Sequence, residues 1–169
     1  MAATDLYVNN PWDWSTEDPT KPAEQRFFEA YARSVDSRVF AQGSMTKWYS
    51  SKTVYRSETG KVYHGAEEMK AWMTELFYSF EANKHIPEYY VQYKVDGATK
   101  IHVGFRRLLW IKGNTGPEPD TDTPVAWICE IGPADDPDAY LGLQFKTSSI
   151  HWDKTQTVAL LKKKLPSDL

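Results

Sequence analysis

Few residues in this chain of 169 pair a chemically useful type with an ordered setting. Glu130 stands between Ile128 and Ile131 in an otherwise apolar strand-like run. Facing inward, such a carboxylate is desolvated, holds its proton more tightly and becomes a general acid or base; facing outward, it pairs with a cation on a neighbouring strand. His85 opens a strand-like run directly after a helical one, where an imidazole exchanges protons near neutral pH or only answers a helix C-terminus. Tyr55, mid-strand in a short hairpin, is a donor for a developing oxyanion or a packing residue. Asp36 and Arg38 flank a helix break, where they cap helix ends or reach across to orient a polar ligand atom. Trp110 and Trp127 are of a type that stacks on flat ligands or fills a core.

The elements that must hold these residues follow from spacing. Thr20, Pro22 and Glu24 signal a helix start, and Phe27, Tyr31 and Val35 make a stripe at i, i+4, i+8. Asp36-Ser37 breaks that helix, and a short second one ends near Gly43. Thr53–Ser57 and Lys61–Gly65 form a hairpin around Glu58-Thr59-Gly60. Met69, Trp72, Met73, Leu76, Phe77 and Phe80 then follow helical spacing, with Trp72 reaching toward the interior. Strands over 88–95 and 99–112 pair across Asp96-Gly97, and strands over 125–131 and 140–152 follow. Residues 1–19 read as an irregular arm, 20–155 as one domain and 156–169 as a tail carrying Lys162-Lys163-Lys164. Trp12 and Trp14 require the arm to dock, on its own domain or on a partner.

Alternation sorts the 99–112 strand into two rows. Ile101, Val103, Phe105, Arg107, Leu109 and Ile111 form the more apolar row, the default core face. His102, Gly104, Arg106, Leu108 and Trp110 form a mixed row that lines either a wet cavity or a dimer interface.

Composition excludes several classes. A net charge of -3 gives no electrostatic reason for nucleic-acid binding. The single cysteine, Cys129, precludes an internal disulfide, and no Cys/His cluster has metal-ligand spacing. The polar first twenty residues do not read as a signal peptide, and no apolar run spans a bilayer, so a cytoplasmic protein is expected. Seven Trp, ten Tyr and seven Phe make 14% of the chain, which fits an aromatic-lined pocket or a bulky core with a dimer face.

The run Glu29–Phe40 (EAYARSVDSRVF), the segment Thr53–Phe80 and the strands carrying His102-Val103-Gly104-Phe105-Arg106 resemble the SnoaL-like branch of the nuclear transport factor 2-like superfamily, over about residues 22–155. The resemblance implies an α+β cone, a curved antiparallel sheet around N-terminal helices, paired as a homodimer through its outer face. It implies a cofactor-free, metal-free isomerase, cyclase or dehydratase acting on a polycyclic or polyketide-like metabolite. Compared with scytalone dehydratases, Asp36, Tyr55 and His85 fall on pocket positions, while Val35 replaces a tyrosine and Trp110 or a shifted His102 stands for a second histidine. Compared with limonene epoxide hydrolases, Glu130 with Arg106 or Arg107 is a partial match without its third member. The expected catalytic set is therefore Glu130, His85, Tyr55, Arg38 and Asp36. The expected lining for a small hydrophobic or aromatic substrate is Tyr31, Trp72, His102, Arg106, Trp110 and Trp127. The alternatives are water-driven epoxide opening and a non-catalytic binding domain.

Overall fold

The computed structural model describes residues 4–165. In chain order they form β1 (Thr4–Asn9), α1 (Ala23–Asp36), two short 3-10 turns, β2 (Tyr49–Arg56), β3 (Val62–His64), α2 (Gly65–Tyr78), β4 (Phe80–Val95), β5 (Ala98–Ile111), β6 (Thr121–Pro133), β7 (Leu143–Trp152) and α3 (Thr155–Lys164). The seven strands make one sheet in the order β1-β4-β5-β6-β7-β2-β3. All neighbours are antiparallel except β2 and β7, which run parallel.

The stripe on α1 is what packs this helix onto the sheet. Phe27, Phe28, Tyr31, Ala32 and Val35 are buried. Phe28 meets the Trp127 ring edge-on at 5.6 Å, and Tyr31 meets it at 5.5 Å. Each such pair adds roughly 0.5–1.5 kcal/mol beyond the area it buries. α1 starts after Pro22, whose fixed φ suits a helix entry, and ends at Ser37, because Arg38 turns left-handed at φ 57°. α2 begins at Gly65, where φ is +70° and a Cβ would press within 3.2 Å of the Ser51 carbonyl. Met69, Met73 and Phe77 bury its inner face.

β4 begins at Phe80, eight residues before the strand read from the sequence. Its first half, Glu81 to His85, looks polar, yet Ala82 to His85 pair residue by residue with the end of β5, after a register shift that leaves Glu81 out. Asn83 and His85 are the inward members of that half. Polar residues facing a core erase the alternation by which a strand is recognised. The register slips between Pro87 and Tyr89, which accommodates a proline that has no N–H for the ladder.

Both terminal segments, over residues 4–19 and 156–165, are more ordered than their composition implies. The arm contains β1, paired along β4, and then folds back so that Trp12 and Trp14 are buried on their own domain. The Trp12 indole donates to Glu29 Oε1 at 2.8 Å, and Arg33 donates to the Trp14 carbonyl at 2.8 Å. The described part of the expected tail is mostly α3, whose last turn carries the three lysines, and its last four residues lie outside the described residues; Lys164 pairs with Asp120. No helix among the described residues is long and apolar enough to cross a membrane.

Candidate functional site

The row Ile101, Val103, Phe105, Arg107, Leu109, Ile111 is buried along β5, so it is the inner face of the cone. Arg107 is thereby placed in the core, 3% exposed, between Phe105 and Leu109. His85 lies opposite it in the β4–β5 register and is 5% exposed. Arg107 Nε donates to His85 Nε2 at 3.0 Å. Guanidinium nitrogens only donate, so Nε2 must be the lone-pair nitrogen and Nδ1 carries the proton. That Nδ1–H points at Asp36 Oδ1, 2.5 Å away, while the His85 backbone N–H donates to Asp36 Oδ2 at 3.2 Å.

This line continues outward. Asn83 Nδ2 donates to Asp36 Oδ1 and to the Val35 carbonyl, each at 3.3 Å, and Arg38 Nε donates to Asn83 Oδ1 at 3.0 Å. Arg38 thus acts on Asp36 through Asn83 and positions it.

Burial lowers the His85 pKa below the ordinary imidazole value, with Asp36 opposing the shift, so a neutral ring agrees with the bonding pattern. Burial also lowers the Arg107 pKa. Its guanidinium lies 4.8 Å from the centre of the Trp152 ring and 5.9 Å from that of Phe77, and the Nη1 atom is buried without a partner. A cation held this way is aimed at an electron-rich group.

A cavity borders this line, lined among others by Trp14, Tyr31, Trp72, His85, Arg107 and Trp127. Its volume of 20 Å³ is room for about one water molecule. Two larger clefts flank it. One, of 540 Å³, lies between the arm, α1 and β4, and shares Trp14 and His85 with the cavity. The other, of 720 Å³, lies between α2, α3 and the β2–β3 hairpin, and shares Trp72 and Leu76 with it.

The structure brings together His85, Asp36, Tyr31, Trp72 and Trp127. Tyr55 is fully buried beside them, its ring 4.6 Å from Trp72 and 6.1 Å from Trp127, with its hydroxyl unpartnered and its pKa pushed up by burial. His85 is not at a helix end, as its sequence context implies, but well inside β4.

Four expected site residues are elsewhere, all on the outer row. Glu130 pairs with Lys100 on the neighbouring strand, the outward alternative for this carboxylate. Arg106 is exposed and bound to Asp122 at 2.8 Å. His102 Nε2 lies 2.9 Å from the Tyr93 hydroxyl, and Trp110 shares that face. The physical reason is parity: the core takes the odd-numbered row of β5, which sends the even-numbered row, and the β6 residue opposite Lys100, to the other side. Glu130 and Arg107 therefore stand on opposite faces, while Glu130 and Arg106 share the outer face, each bound to a surface partner and away from the cavity. Arg38 borders a different groove, with Phe40 and Phe80, and does not reach the cavity.

Asn83 and Trp14 are not in the set expected from the sequence, and Arg107 enters it only as an alternative partner of Glu130. The signal for Arg107 was present, because a charge at an inward position of an apolar row has to serve some purpose. Among the described residues no group of three or more His, Cys, Asp or Glu is placed to hold a metal ion.

No protein-family model matches the sequence, and no curated protein is similar to it in sequence. Solved structures are similar in fold. A protein assigned as a SnoaL-like polyketide cyclase from Shewanella denitrificans is 11% identical, with 85% of this chain and all of that one covered at a TM-score of 0.53. A protein assigned as a scytalone dehydratase from Novosphingobium aromaticivorans is 12% identical, over 78% of this chain and 82% of that one, at 0.61. Nuclear transport factor 2 from Cryptosporidium parvum is 9% identical, over 78% of this chain and 92% of that one, at 0.59. These likenesses establish the fold: the α+β cone of SnoaL-like and nuclear transport factor 2-like proteins.

Proposed function

We propose that this chain is an acid–base enzyme that isomerises, cyclises or dehydrates a small ring compound carrying a carbonyl or phenolic oxygen, with no cofactor. The observation that carries the reading is the buried line Asp36–His85–Arg107 at the cavity, with an unpartnered Nη1 at its end. In this mechanism the substrate oxygen takes over the Arg107 hydrogen bonds, which frees His85 Nε2. The imidazole then removes a proton next to the carbonyl. Negative charge grows on the oxygen and is held by Arg107 in a dry setting, where such stabilisation is strongest. The imidazolium is held by Asp36 until its proton returns to another carbon, or to a leaving hydroxyl. Positioned proton transfer of this kind contributes about 10²–10⁴-fold. The cyclases and dehydratases of the same fold support the reading at the level of fold.

The test is hydrogen exchange in heavy water with a panel of cyclic diketones and hydroxylated naphthalenones, read by mass spectrometry. Wild-type protein is expected to exchange at least one member about 10²-fold faster than buffer, and His85→Gln to lose that advantage. Equal exchange by both proteins on every compound that binds would sink the proposal. A second reading, a non-catalytic binding domain, is favoured by the 20 Å³ cavity, which Trp14, Trp72 and Trp127 help to close. We also propose a homodimer through the outer face of β4–β6, where Tyr89 and Ile128 are each 38% exposed, with sedimentation as its check.

A further inference from the structure

The inner cavity holds about one water, so the body of any substrate has to lie outside it. The cleft between α2, α3 and the β2–β3 hairpin has 720 Å³, within the range of roughly 300–1,000 Å³ usual for small-molecule sites. Trp72 and Leu76 are the wall it shares with the cavity, so a shift of these two side chains would join them.

Three residues bordering this cleft carry buried polar atoms with no partner: Glu58 Oε2, Trp152 Nε1 and Thr157 Oγ1. The Glu58 side chain is 8% exposed; its other oxygen accepts from Lys154 Nζ at 2.7 Å. Thr157 is 2% exposed. Trp152 is the ring stacked on Arg107. Buried polar atoms are normally satisfied, and three orphans just behind the wall of one cleft are contacts that a polar ligand would gain after a small shift of those side chains. Their chemistry describes it: Glu58 needs a donor, the indole N–H needs an acceptor, and the threonine hydroxyl takes either. The cleft's four charged residues, Glu58, Glu75, Lys61 and Lys154, balance, so the ligand need carry no net charge. Tyr63, Trp72 and Trp152 give it aromatic walls.

We propose that this cleft binds the body of an uncharged, flat ring compound bearing both a hydroxyl and a carbonyl oxygen, with Glu58 accepting from the hydroxyl and setting specificity. It rests on the acid–base reading only in that the reactive oxygen passes Trp72 toward Arg107.

The probe pair is 6-hydroxy-1-tetralone and its 6-methoxy analogue, which differ in the one donor Glu58 would accept. Binding is followed by the indole N–H signals of the tryptophans, assigned by single Trp→Phe variants, and by calorimetry. The expected result is that the hydroxy compound binds about tenfold tighter, that the signals of Trp72 and Trp152 move while those of Trp12 and Trp14 stay, and that Glu58→Gln reduces the preference to under about threefold with an unchanged melting temperature. Equal affinity for the two tetralones, no binding at millimolar concentration, or shifts confined to Trp12 and Trp14 would each overturn the proposal. These readouts need no turnover. Cleft binding that survives in His85→Gln, together with exchange that never depended on His85, would leave the cleft standing and the acid–base reading fallen. The reverse pattern would do the opposite.

Discussion

Arg106 and Arg107 are neighbours on β5 with opposite surroundings. Arg106 faces outward, bound to Asp122 and raised in pKa by that hydrogen bond. Exposed pairs of this kind are worth about 0–1 kcal/mol. Arg107 faces inward, touches an imidazole and two aromatic rings, and keeps an unpartnered nitrogen. A buried cation without a hydrogen-bonded carboxylate is expensive to maintain, several kcal/mol after relaxation. The difference teaches which face of the sheet answers its arginine with a carboxylate and which leaves one open. On the outer face, Arg106 and Lys100 are each answered by a carboxylate on the neighbouring strand. On the inner face, a charge is left open at the cavity that His85 also lines.

The largest effect that would break this comparison is expected from Arg107→Met. Exchange activity should fall about 10²–10³-fold, while the urea midpoint holds or rises, because a methionine fits an apolar core without a desolvated charge. Kept activity with a large loss of stability would make Arg107 a structural residue. Asp36→Asn comes next: activity should fall about 10²-fold, and stability about 1–3 kcal/mol as the His85 ring and backbone lose an ionised acceptor.

A smaller effect is expected from pH. The folded-state pKa of His85 lies below its unfolded value of about 6.5. The unfolded chain therefore takes up the proton first. The contribution of the neutral ring is complete above that pH and is lost as pH falls toward the lower folded value. Urea midpoints from pH 7.5 to 5 should decline, and His85→Gln should flatten that decline. The smallest effects belong to the outer face. Arg106→Gln and Glu130→Gln should each change stability by no more than about 1 kcal/mol and leave exchange unchanged. A lost activity in Glu130→Gln would restore the carboxylate that the sequence alone ranks first.

Much of the scaffold was legible. The stripe Phe27–Tyr31–Val35, the Glu58-Thr59-Gly60 and Asp96-Gly97 turns, and the row Met69–Met73–Phe77 read directly, because period and turn chemistry are local. The site was half legible. His85, Asp36, Trp72 and Trp127, singled out from the sequence, come together beside one cavity, since each stands at an element boundary or in an unusual setting. Glu130 misled because one carboxylate in an apolar strand has two equivalent parity solutions, and nothing local tells them apart.

The amino-acid order by itself determined the elements, their turns and the two alternating rows of β5, because dihedral preference and side-chain period act over a few residues. Only the tertiary structure decided which row faces inward. Only the β4–β5 register set His85 against Arg107, and only the end of α1 brought Asp36 onto the imidazole from 49 residues away. These outcomes depend on burial and on contacts between distant segments, and both exist only once the sheet has closed around its helices.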